Sequence, residues 1–119
     1  MKKILVADDN PAILDSLKIM LEDEGYEVDT TEDGAVAQYM KEPLPVLLLL
    51  DVWMSGTDGR DVCKHLKSTA ETKHIPIIMM SAAKDIVQIA KDARADDYIS
   101  KPFQMDRLLA VVAEHMNKV

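Results

Sequence analysis

The sequence predicts an α/β fold: a parallel sheet with helices packed on both faces. Three observations carry this. Short strand-like runs alternate five times with stretches of helical periodicity along the 119 residues. The central run, Val46-Leu47-Leu48-Leu49-Leu50, is apolar throughout and ends abruptly in Asp51 and a glycine-containing loop. That is the pattern of a strand buried on both faces, which parallel sheets require. Finally, no repeat, linker or low-complexity segment interrupts the alternation, so residues 1–119 read as one domain.

In chain order, residues 3–7 form a short buried strand halted by Asp8-Asp9. Asn10-Pro11 then has the form of an N-cap followed by proline in the first helical turn. Ile13, Leu14, Leu17, Met20 and Leu21 recur at helical spacing up to Gly25, the expected stop. Residues 27–30 are a second strand, and a helix is expected over residues 33–42, carrying Val36, Tyr39 and Met40 and ended by Pro43 and Pro45. After the central strand, a helix over residues 58–70 buries Val62, Cys63 and Leu66, with Thr57 and Asp58 as its caps. Residues 75–80 are a fourth strand, with Pro76 tolerable at its start. A helix over residues 84–93, a strand over 97–100 and a last helix from Phe103, with Leu108, Leu109, Val112 and Met116 inward, complete the chain. The methionines lie at core spacing almost throughout. Parallel strands need right-handed crossovers, which places the helices on both faces.

Composition narrows the function. The chain is 48% hydrophobic and 29% charged, a globular balance. Its longest apolar run is far short of the ~20 residues that cross a bilayer. Met-Lys-Lys is followed only by Ile4 to Ala7 before two aspartates, which is no signal peptide. A cytoplasmic protein without membrane partners is expected. The net charge of −7 and the lack of a Lys/Arg stripe argue against direct nucleic-acid binding. Cys63 is the single cysteine, without a basic partner near it in sequence, and reads as a small core residue. His65, His74 and His115 have no zinc spacing and read as plain surface or helix histidines.

The chemistry gathers at one edge of the sheet. Asp8 and Asp9 follow the first strand, Asp51 ends the third, Ser81 follows the fourth and Lys101 follows the fifth. In an open α/β sheet the carboxyl ends of the strands face one crevice. Three carboxylates brought together repel, and a cation relieves them. Mg²⁺ suits an all-oxygen site and keeps several waters. Lys101 and Ser81 beside it suit an anion, and a phosphoryl group satisfies metal, ammonium and hydroxyl together. Asp51 is then a carboxylate nucleophile for in-line phosphoryl transfer. Taken singly, Asp9 and Ser81 would be caps, Lys101 a solvated lysine and Tyr98 a half-buried strand aromatic. Convergence of separate strands on one crevice favours the site.

At this point the chain resembles a response-regulator receiver domain, CheY-like, over its full length. The matching pieces are Ile4-Leu5-Val6-Ala7-Asp8-Asp9-Asn10, Leu50-Asp51-Val52-Trp53-Met54, Asp58-Gly59, Ile77-Ile78-Met79-Met80-Ser81-Ala82 and Asp97-Tyr98-Ile99-Ser100-Lys101-Pro102-Phe103. The resemblance implies a flavodoxin-like doubly wound (βα)5 sheet of order 2-1-3-4-5. It implies that Asp51 accepts the phosphoryl group, that Asp9 binds Mg²⁺ directly and Asp8 mostly through water, and that the Trp53 carbonyl adds a ligand. Lys101 would bridge to the phosphoryl oxygens, preceding a cis Pro102. Ser81 and Tyr98 would form the switch, Tyr98 moving from an outward to an inward rotamer. Implied partners are a sensor histidine kinase or phosphotransfer protein (a small phosphodonor also serving) and a downstream output protein or domain. Implied too is room for a homodimer through the fourth helix, fifth strand and fifth helix. Such a protein catalyses only its own Mg²⁺-dependent phosphorylation and dephosphorylation.

Three positions depart from the family pattern. Ser55 stands where proline is common, Trp53 is bulky beside the phosphoryl group, and Arg94 occupies a position that often holds glycine. The Trp53 ring is expected to shield the acyl phosphate from water. Other readings fare less well. A receiver-like protein-binding module that acts without phosphorylation could have lost any of the five polar residues. A haloacid-dehalogenase phosphatase wants Asp-x-Asp, whereas Trp53 stands two residues past Asp51. A flavin-binding protein wants a hydroxyl-rich loop where Asp8-Asp9-Asn10-Pro11 stands.

Overall fold

A computed structural model describes residues 3–54 and 56–117. Five strands, β1 (Lys3–Ala7), β2 (Glu27–Thr31), β3 (Leu47–Asp51), β4 (Ile77–Ser81) and β5 (Asp97–Ser100), form one sheet. Every pairing is parallel, and the spatial order is β2-β1-β3-β4-β5, as expected. The helices between and after them are α1 (Pro11–Asp23), α2 (Gly34–Gln38), α3 (Gly59–Lys67), α4 (Ile86–Asp92) and α5 (Met105–Met116).

Alternation along the strands divides the interior into two cores. Ile4, Val6, Leu47, Leu49, Ile78, Met80 and Ile99 meet α1 and α5 through Leu14, Leu17, Leu21, Leu108 and Val112. Leu5, Leu48, Leu50, Ile77 and Met79 meet α2, α3 and α4 through Ala37, Val62, Cys63, Leu66, Ile86 and Ala90. Leu47 to Leu50 are fully buried, which confirms β3 as the central strand. Burial pushes the Cys63 thiol up to about 12, so it is an inert core group.

Several boundaries differ from expectation. The helix expected over residues 33–42 is only α2, and Val36 and Tyr39 are exposed rather than inward. Its buried residues are Gly34 and Ala37, and Gly34 presses so closely on the Thr57 side chain that a Cβ would clash. With so little packed surface, nothing carries the helix beyond Gln38. β4 starts at Ile77, since Pro76 has no N–H to pair and only its carbonyl accepts, from Leu48. α3 stops at Lys67, and α4 and α5 begin two residues later than expected, at Ile86 and Met105. Met105 is exposed, so it departs from the methionine core pattern. His115 also departs from its expectation as a plain histidine: it is buried, with Nε2 2.9 Å from Asp97 Oδ2.

The punctuation residues behave as their chemistry requires. The Asn10 side chain accepts the Ala12 and Ile13 N–H groups, with Pro11 as the first helical residue. Gly25 has φ +94 after α1. Arg94 has φ 66, so the left-handed turn after α4 is held by a residue with a Cβ. Its guanidinium reaches back to the end of α3, 2.6 Å from Ser68 Oγ and 3.4 Å from the Lys64 carbonyl. Among the described residues, no helix is long and apolar enough to cross a membrane.

Candidate functional site

The carboxyl ends of β1, β3, β4 and β5 lie along one edge of the sheet, and Asp8, Asp9, Asp51 and Lys101 meet in a crevice there. Asp8 is fully buried directly after β1, while Asp9 beside it is partly buried. Asp51 is the last residue of β3 and is 6% exposed. One ligand oxygen from each of Asp8, Asp9 and Asp51 lies within 4.8 Å of the others. Lys101 follows β5 and bridges two of them, its Nζ 2.7 Å from Asp8 Oδ2 and 3.1 Å from Asp51 Oδ1. The second Asp8 oxygen accepts the Asn10 N–H at 2.9 Å, which fixes this carboxylate against the start of α1.

The electrostatics follow from these contacts. Burial raises the Asp51 carboxyl above its ordinary value, against the hydrogen bond from Lys101, and the charge of Asp8 raises it further. Burial also opposes the charge on Lys101, yet hydrogen bonds from its ammonium to Asp8 and Asp51 outweigh this and hold its pKa above the ordinary lysine value. Lys101 is therefore a fixed cation at neutral pH. Asp8 and Asp51 share that one ammonium, and Asp9 adds a third carboxylate beside them. The donor set, all carboxylate oxygen, fits a hard divalent cation such as Mg²⁺.

Ser81 ends β4, buried, rather than following the strand as expected. Its hydroxyl accepts the Ala83 N–H at 3.0 Å and its carbonyl accepts the Lys101 N–H at 2.8 Å. The strand end and the Lys101 loop are thereby tied together. The Lys101-Pro102 peptide is cis, as expected. Tyr98 lies on β5 opposite Met79, half-buried against the core under α3 and α4.

Trp53 and Met54 form a short antiparallel hairpin with Thr57 and Asp58, an element not expected from the sequence. Thr57 therefore sits in the hairpin rather than capping α3. Asp58 alone caps, accepting the Arg60 N–H at 2.9 Å. The Trp53 indole is 54% exposed and lies under the Arg60 guanidinium, whose carbon is 4.5 Å from the ring centroid. Ser55 lies outside the described residues.

Two residues of the site carried no role in the sequence reading. The Gly59 N–H donates to the Val52 carbonyl at 2.7 Å, and a Cβ at Gly59 would collide with the Asp51 carbonyl oxygen. Only glycine lets α3 start this close to the end of β3. The signal was a glycine directly after a capping aspartate, three residues before Val62, the first buried apolar side chain of α3. Arg60 is the second, and a single arginine beside a cap carries no sequence signal of what it will stack on.

Comparison with known proteins agrees with this geometry. Residues 4–113 match the family model for the response regulator receiver domain. The chain is 39% identical over 115 residues to the DNA-binding dual master transcriptional regulator RpaA of Synechocystis sp., covering 94% of this chain and 48% of that protein. Among solved structures it is similar to the signal receiver domain of a signal transduction histidine kinase from Syntrophus aciditrophicus, at 29% identity and a TM-score of 0.92, covering 100% of this chain and 92% of that one. It is also similar to the receiver domain of NtrX from Brucella abortus, at 32% identity and a TM-score of 0.86, covering 98% of this chain and 99% of that one. The chain spans about half the length of the curated relatives it matches.

Proposed function

The chain belongs to the response regulator receiver domain family, and on that premise we propose that it is a phosphorylation-gated signalling switch with Asp51 as phosphoacceptor. The observation that carries this is the meeting of Asp8, Asp9 and Asp51 in one crevice, with Lys101 bridging Asp8 and Asp51.

An Asp51 oxygen attacks the phosphorus of a phosphohistidine on a kinase or phosphotransfer protein, or of a small phosphodonor. The new P–O bond forms as the donor P–N or P–O bond breaks, leaving an acyl phosphate and the free donor. Water later attacks that phosphorus, releasing inorganic phosphate and restoring the carboxylate. Asp9, Asp51 and the Trp53 carbonyl would hold Mg²⁺, with Asp8 acting mostly through water. Bound there, the metal neutralises charge that develops on the transferring group. Lys101 turns from the carboxylates toward the phosphoryl oxygens, and its fixed charge suits that exchange. Ser81 leaves its Ala83 contact to donate to the phosphoryl group, and Tyr98 moves inward behind it. Since Ser81 and Lys101 are joined through backbone, one local charge change acts on α4, β5 and α5, the surface offered to an output partner or a second copy.

The test is incubation with acetyl phosphate and Mg²⁺ followed by intact mass, beside Asp51→Asn. One added phosphoryl group, absent in the variant and without metal, is the expected result. No adduct even at early times would replace this reading with a binding module that acts without phosphate.

A further inference from the structure

Because α2 stops at Gln38, the residues expected to form its last turn become an open loop running to β3. Between that loop and the end of α3 lies a cavity of about 430 Å³, a volume in the range of binding sites. Leu66 is buried along it, and Met40 and Leu44 are half-buried beside it. Tyr39 and His65 also line it, their rings edge to face with centroids 5.6 Å apart. The Tyr39 ring stands 63% exposed, a large apolar face with nothing of its own chain to cover it. Glu42 and Glu71 line both this cavity and a neighbouring one of about 390 Å³, so the two hollows meet at a pair of carboxylates. Neither carboxylate has a hydrogen bond or ion pair among the described residues. Lys41 is the only lysine or arginine along either hollow. The complement of such a trough is an apolar side chain flanked by basic ones. A second copy of the chain fits poorly, since each copy carries a net charge of −7.

We propose that the trough between α2 and α3 docks a basic segment of another protein. One apolar side chain of that segment fills the larger cavity, and neighbouring lysines or arginines pair with Glu42 and Glu71. The trough borders the start of β3, whereas Asp51 ends that strand, roughly 13 Å away at about 3.3 Å per residue. A partner held there leaves the Asp51 crevice open, so the trough is a tether rather than a readout of phosphorylation. It stands whether or not Asp51 accepts phosphate.

The experiment is a proton–nitrogen NMR titration of the protein with three end-blocked tripeptides, Lys-Phe-Lys, Lys-Gly-Lys and Glu-Phe-Glu. Saturating Mg²⁺ is present throughout, so that basic peptides compete poorly for Asp8, Asp9 and Asp51. Lys-Phe-Lys is expected to shift the amides of residues 39–44 and 65–72 along saturable curves. Lys-Gly-Lys should bind there more weakly, and Glu-Phe-Glu should leave those amides in place. Glu42→Gln and Glu71→Gln together should weaken Lys-Phe-Lys roughly fivefold, the factor that two exposed ion pairs are worth. Both side chains are exposed and unpaired, so the double variant keeps its fold. Tyr39→Ala should weaken the same peptide through the lost ring. No saturable shift in the trough, equal binding of the three peptides, or undiminished binding to the double variant each overturns the proposal. Shifts confined to the residues around Asp51 overturn it as well. None of these outcomes touches the phosphoacceptor reading, which the acetyl phosphate adduct tests separately.

Discussion

Each end of the sheet holds a lysine paired with aspartate, and the two lysines are buried to a similar degree. The Lys67 side chain is 11% exposed and that of Lys101 17%. At the amino end, Lys67 Nζ sits 2.5 Å from Asp96 Oδ2 and donates to the Ile75 and Lys73 carbonyls at 2.9 and 3.3 Å. The same Asp96 oxygen accepts the Ile77 N–H at 2.8 Å. One cation meets one anion, and the pair staples the end of α3 to the starts of β4 and β5. At the carboxyl end Lys101 faces Asp8 and Asp51, with Asp9 alongside. Residue type and lysine burial are shared, so they do not tell structure from function. The ratio of charges does: one lysine meets one carboxylate at the amino end, whereas Asp8 and Asp51 share a single ammonium at the carboxyl end and are left in charge deficit.

Substitutions at four positions break or sharpen that contrast. The largest effect is expected at Gly59→Ala, where the new Cβ would meet the Asp51 carbonyl oxygen and the Val52 backbone. A loss of about 3 kcal/mol in urea unfolding is expected, the upper range for overpacking. The acetyl phosphate adduct should fall with it. A wild-type urea midpoint would mean that the loop yields and Gly59 does not brace the crevice.

Asp96→Ala attacks the saturated end. It strands Lys67 and the Ile77 N–H, and a loss of about 2 kcal/mol is expected, below the full value for a buried pair because the Asp96 side chain is 36% exposed. Phosphorylation of Asp51 should survive at temperatures where the variant is folded.

Asp51→Asn should do the reverse and stabilise. Burial holds the folded Asp51 carboxyl above its ordinary value of 3.8, so the ionised group penalises the folded state at neutral pH. The folded state binds this proton more tightly than the unfolded chain, so the penalty disappears as pH falls through the folded pKa toward the unfolded one. A gain on the order of 1 kcal/mol is expected at pH 7 without divalent cations, typical of a relieved charge contact. The gain should shrink as the pH approaches 3.8. Added Mg²⁺ should raise the wild-type melting temperature more than that of the variant. If Asp51→Asn melts lower than wild type at pH 7, the crevice is not in charge deficit.

The smallest effect is expected at Arg94→Gly. Glycine relieves the left-handed φ of 66 but gives up the contact with Ser68, and the net change should stay within about 0.5 kcal/mol. Arg94→Ala keeps the strain and loses the contact, so it should cost about 1 kcal/mol. Equal unfolding midpoints for the two variants would remove the strain argument.

How far the chain could be read in advance differed by element. β1, β3 and β5 were legible because short strand-like runs halted by polar residues recur along the chain, and Asp8, Asp51 and Lys101 at their ends, ordinary when taken singly, gain meaning together. The first helix was equally plain, its cap, proline and glycine acting locally. α2 was not: the same spacing that suggested a longer helix places Val36 and Tyr39 in solvent, because only contact with Thr57 and the sheet decides how much of it packs. His115 was misjudged for a similar reason, since Asp97 lies on another element, distant in sequence.

By itself, then, the sequence determined the alternation of elements, the apolar centre of the sheet and the polar residues that end its strands. Those follow from local chemistry: periodicity, caps and breakers act over a few residues. The tertiary structure alone decided which charges saturate one another, that Gly59 must be bare where it touches Asp51, and that Arg60 comes to rest on Trp53. Such facts depend on distances between segments far apart in the chain or across a turn. Burial and pairing arise only when the strands lie side by side.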